Sequence, residues 1–140
     1  MNAKSQAQQI ETTWQANSVN TLLCRVSAPD GTGQPTGVRG EGNWLKQADI
    51  STLSYVVQDI TDETAITTVI ASTSLTVIAV VSDTITTNTA RWTADGVGYN
   101  FSHSIPAASF PTRGNRYRIV YTLTLTGGNA SVIVAQGEAV

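Results

Sequence analysis

An all-β fold is what this 140-residue chain predicts, and three observations carry the expectation. Ser and Thr fill about a quarter of the positions, and charged residues make up 13%, about half the usual roughly 25%. Thr, Val and Ile are stiff at χ1 and suit a pleated, half-buried surface better than a helix. Two stretches, "DISTLSYVVQD" and "YRIVYTLTLTGGNASVIV", alternate with period two, the mark of strands with one face in a core. The length allows one two-layer core and is too short for two ordinary domains.

Residues 1–20 are rich in Gln, Asn, Ala, Ser and Thr, with Ile10, Trp14 and Val19 as the sizeable apolar side chains. Ile10 and Trp14 stand four apart, so one helical turn would bring them onto a common face, but the segment cannot build a core alone. It is expected to be an extended N-terminal arm, with residues 21–140 as the β-sandwich domain. Leu22 to Val26 is a short apolar run, followed at 28–43 by a Gly/Pro-rich loop or linker, a length that in a compact domain signals function, a partner surface or disorder.

In "DISTLSYVVQD", Leu53, Tyr55 and Val57 point one way and Ser54, Val56 and Gln58 the other. "DITDETAI" is a polar turn. "SLTVIAVV", 74–81, is continuously apolar and is expected as a central strand buried on both sides, and "TITTNTARW" as an irregular connection. In "GYNFSHSI", Tyr99, Phe101, His103 and Ile105 share a face. Tyr117, Ile119, Tyr121, Leu123 and Leu125 share another, and Gly127-Gly128-Asn129 reverses the chain, so 116–136 forms a hairpin. Six or seven such strands imply an immunoglobulin-like antiparallel β-sandwich, without the Cys and Trp pattern of true immunoglobulin domains.

Chemistry is sparse. Eight Lys and Arg stand against ten Asp and Glu, a formal net charge of −2, which disfavours nucleic acid as principal ligand. The start lacks the apolar core of a signal peptide and no stretch approaches the roughly 18 apolar residues of a membrane span. The expectation is therefore a protein made and assembled in a cytoplasm, with no membrane partner. Cys24, the only cysteine, reads as a small buried hydrophobe, and a zinc site cannot be assembled from one His and one Cys.

His103 is the only imidazole available to a Ser-His-Asp or Cys-His mechanism. Its place among core-facing residues favours packing, with a ring nitrogen bonded to backbone, over catalysis. "GTGQPTG", Gly31 to Gly37, lacks the spacing and the GK[ST] of a phosphate loop. "DITDE", Asp59 to Glu63, lacks the DxDxDG spacing of a calcium loop and reads as a solvated turn. Arg113, Arg116 and Arg118 around Tyr117 have two readings, ion pairs to a partner or a charged strand edge that discourages pairing. Asn100-Phe101-Ser102 and Asn129-Ala130-Ser131 match the glycosylation pattern and carry no weight without a secretory signal. No enzyme and no cofactor is expected.

Three stretches together, "LKQADISTLSYVVQDI", "RWTADGVGYNFSHSIPAASFPTRGNRYRIVYTLTLTGG" and the short "LLCRV", resemble a family of small β-sandwich virion structural proteins of tailed bacteriophages. The family is similar in style to the N-terminal modules of baseplate upper proteins. The resemblance covers roughly residues 21–135, and its marks are fold-type residues: Trp92, the GYNF turn, the proline-flanked Phe110 and the Tyr117/Tyr121 strand. It implies a capsid decoration or cement protein that binds and stabilises the major capsid protein on the virion surface, as a homo-oligomer, with a trimer the form common to such proteins. Ile10, Trp14 and Trp44 would then be anchors and Arg113, Arg116 and Arg118 a partner-binding cluster. The alternatives are a tail, neck or baseplate module of the same phage class, and a carbohydrate-binding β-sandwich.

Overall fold

The computed structural model of the protein describes residues 6–26, 44–86, 98–128 and 130–140. The Gly/Pro-rich segment at 28–43, the GTGQPTG stretch within it, Trp92 and Asn129 lie outside the described residues.

Among the described residues, eight strands form two sheets facing each other across one core, an all-β sandwich. The larger sheet holds β1 (Gln6–Glu11), β3 (Ile50–Asp59), β4 (Thr67–Leu75), β7 (Arg116–Leu125) and β8 (Ala130–Glu138), in the order β1-β8-β7-β3-β4. The smaller sheet has the order β2-β6-β5, from β2 (Asn20–Cys24), β6 (Tyr99–Ile105) and β5 (Val81–Thr86).

Alternation makes two of the interior strands of the larger sheet. In β7, Tyr117, Ile119, Tyr121, Leu123 and Leu125 are buried, and in β3, Leu53, Tyr55 and Val57, as their period-two spacing requires. The β7–β8 hairpin turns at Gly127-Gly128, where Gly128 takes φ +94, the left-handed region that glycine enters without cost.

The expected N-terminal arm over 1–20, separate from the sandwich, is corrected for the described residues. Residues 6–11 are β1, laid parallel to β8 from Gln6 opposite Ser131 to Glu11 opposite Gln136. The chain beyond it stays attached: Thr12 and Trp14 donate backbone bonds to Gln136 and Glu138, Ala16 to Val140, and Asn17 to the carbonyl of Phe110. Ile10 and Trp14 meet the core from this extended segment rather than from a helical turn. A parallel edge strand satisfies backbone groups of β8 that would otherwise stand unpaired, and the aromatic ring of Trp14 gains full burial.

The expected central strand at 74–81 is also corrected. Leu75 ends β4 on a sheet edge, Val77–Val80 forms a single helical turn (α1), and Val81 opens β5 in the other sheet. The apolar run is a crossover between sheets, which buries Val80 and Val81 and leaves Ile78 70% exposed. A strand in one sheet cannot cover that distance while keeping its ladder, so the hydrogen-bond pattern wins over the apolar run.

Candidate functional site

The chain's concentrated chemistry lies where β6 and β7 face each other. His103 is a core residue of β6 at 7% exposure, and its Nδ1 lies 2.6 Å from the hydroxyl of Tyr121 on β7. The sequence reading of a bond to backbone is thus replaced by a side-chain bond across the two sheets. Tyr55 packs on the imidazole at 4.9 Å between centroids, and Phe101 meets Tyr121 edge-on at 4.9 Å. Cys24 on β2 is buried in the same core.

Burial sets the protonation of this cluster. It holds the imidazole below its ordinary value and pushes the Cys24 thiol up to about 12. It also pushes the Tyr121 phenol up, helped by the neighbouring Cys24 and Tyr55. At neutral pH the three groups are an imidazole, a thiol and a phenol without charge. An inter-sheet hydrogen bond between neutral groups fastens the core; it offers no thiolate for nucleophilic attack.

A second constellation closes the end of the sandwich where β1, β6 and β8 finish. Trp14 lies on Phe110, and Phe110 meets Tyr117 edge-on at 5.6 Å. Trp14 Nε1 donates to the carbonyl of Tyr117 at 3.2 Å. The Tyr117 hydroxyl accepts from the Thr112 amide at 2.9 Å and donates to the Thr112 carbonyl. Trp14 is 2% exposed, which withdraws it as an anchor for a partner; Trp44 is half-buried.

Two of the three arginines have partners within the chain. Arg118 donates twice to Gln58 Oε1, at 3.0 and 2.8 Å. Arg116 pairs with Glu11 at 3.7 Å, both side chains well exposed, a geometry that contributes little. Arg113 is exposed in the turn before β7. In "DITDE", Asp59 accepts from Thr61 and Asn115, and Asp62 from Thr64. Slight burial nudges Asp59 up, but the bonds from Thr61 and Asn115 outweigh it and hold the carboxyl below its usual range; those from Thr64 do the same for Asp62. Among the described residues no three His, Cys, Asp or Glu side chains gather to hold a metal.

Two residues matter that sequence reasoning passed over. Asn100, noticed only as a glycosylation match, is 1% exposed. Its Oδ1 accepts from the Val26 amide at 2.7 Å, while Nδ2 donates to the carbonyls of Val26 and Leu45. It clamps the two ends between which residues 27–44 run. Gly137 lies so close to the Thr12 carbonyl that a Cβ there would overlap it; only glycine lets β1 continue past β8. Set against protein-family models, curated proteins and solved structures, the chain matches none of them.

Proposed function

We propose that this chain is a non-catalytic structural protein of a phage virion, a capsid decoration protein that stabilises the major capsid protein shell. The observation that carries the structural half of this reading is the placement of His103. The sole imidazole is buried, neutral and bonded to Tyr121, so it serves to hold two sheets together. The virion half rests on the resemblance of the 91–128 block and the "LKQADISTLSYVVQDI" strand.

An immunoglobulin-like type for the sandwich is supported by two features. The groupings β8-β7-β3 and β2-β6-β5 are those of the two sheets of that fold, and the Tyr117 hydroxyl returns to backbone five residues upstream, as in its tyrosine corner. Tyr55, Phe101, Tyr117 and Tyr121 lie inside, which leaves them no part in a sugar-stacking platform and disfavours the carbohydrate reading. With Trp14 in the core, shell contact falls to the outer surface rather than to an arm anchored by Trp14.

Quantitative mass spectrometry of purified particles tests the proposal. Hundreds of copies per particle are expected. A copy number of a dozen or fewer would move the chain to the tail or neck, and its absence from particles would overturn the virion reading.

A further inference from the structure

The outer face of the larger sheet departs from the usual alternation of apolar-in and polar-out. Val56, Val120 and Val134 lie in register across β3, β7 and β8, and all three point away from the core, half-buried by their neighbours. The row above them is Ser54, Thr122 and Val132, and the row below is Gln58, Arg118 and Gln136. Among the described residues, charge on this face is confined to that lower end, at Arg116, Arg118, Glu11 and Glu138, where Arg118 bonds to Gln58 and Glu11 to Gln136. An uncharged apolar centre with a hydrogen-bonded polar rim is the anatomy of an interface.

We infer that this face is a homotypic docking surface on which a second copy of the chain packs, valine row on valine row, about a two-fold axis lying along the row between the two sheets. Three arguments select a second copy. The row is its own complement: such an axis sets Val56, Val120 and Val134 each against its counterpart, as an isologous interface requires. The same axis sends the two charged rows to opposite ends, so Arg118 of one copy faces the uncharged Ser54, Thr122 and Val132 row of the other. The area also suffices. A five-stranded face at about 4.8 Å per strand and about 26 Å along the strands offers about 600 Å² per copy, about 1,200 Å² in all, above the roughly 1,000 Å² a specific interface needs. Two sheets packed this way sit about 10 Å apart, the spacing of the sandwich core itself. The inference does not depend on the virion reading, and it gives a dimer in place of the trimer that the resemblance implies.

Light scattering coupled to size-exclusion chromatography, with the whole chain loaded at about 100 μM, a hundredfold above a micromolar Kd, tests it. The expected mass is twice the 14.8 kDa of one chain. Val120→Lys, which sets two like charges against each other on the axis, is expected to give the mass of a single chain. Val120→Thr keeps the β-branched shape and is expected to weaken the dimer about tenfold, which covers the case in which Val120→Lys fails to fold. Thr21→Lys, on the exposed side of β2, is expected to remain dimeric. A monomeric or trimeric wild type, a dimer untouched by both Val120 variants, or a dimer equally lost in Thr21→Lys would each overturn the inference.

Discussion

The indole of Trp14 lies flat on the ring of Phe110, with centroids 4.4 Å apart and planes 11° apart. Ninety-six positions separate the two in sequence, yet the stack seals the end of the sandwich and ties the N-terminal strand to the loop before β7. Trp14→Ala removes the ring and its bond to the Tyr117 carbonyl. The expected loss is about 3–5 kcal/mol, read as a lower urea midpoint, with fast amide exchange over β1. A loss below about 1 kcal/mol would mean that Trp14 is not a core residue.

His103 makes stability depend on pH in a definite direction. Unfolded, its imidazole titrates near the ordinary 6.5; folded, burial holds the value lower. Between the two values the unfolded chain binds a proton that the folded one refuses, so stability falls as pH drops through that window and is fully present above it. Asp59 and Asp62, held below their usual range, are already ionised at both pH values compared below. Urea midpoints at about pH 7.5 and 5.5 should differ for wild type and converge in His103→Phe; equal pH dependence in both would remove His103 as the source.

Asn100 satisfies three backbone groups at once. Asn100→Ala leaves the Val26 amide without its partner and strips bonds from the carbonyls of Val26 and Leu45, for an expected cost of about 2–4 kcal/mol. Hydrogen exchange should accelerate first at the Val26 amide, while the Leu45 amide keeps its bond to Val26. Unchanged exchange at Val26 would contradict the clamp.

Cys24 is expected to resist a disulfide-exchange reagent in the folded protein at neutral pH, because burial holds it as a thiol, and to react fully once urea unfolds the chain. Rapid labelling under native conditions would show that β2 opens easily.

The hairpin of β7 and β8 and the strand β3 were legible because Leu53, Tyr55 and Val57 and the run from Tyr117 to Leu125 recur at every second position, and a period of two admits one arrangement of faces. His103 was legible as a core residue for the same reason, but its partner Tyr121 was not, since no local pattern says which strands face each other across a core. Trp14 was misread because its burial depends on Phe110 and Tyr117, far along the chain, while its neighbours are polar. The run at 74–81 misled because an apolar stretch shows burial, not whether the chain stays in one sheet. The valine row has a sequence signal, Val56, Val120 and Val134 on the polar faces of their strands, and only the register lines it up.

The parallel seating of β1 on β8 has a consequence for how the chain is made. Glu11 touches Gln136, 125 positions later, so β1 leaves the ribosome long before the strand it must join exists. Until β8 emerges, the first strand has no ladder and Trp14 no socket. Contacts so distant in sequence are slow to close, and the sandwich is therefore expected to close only once β8 has emerged, with β1 among the last elements to be secured.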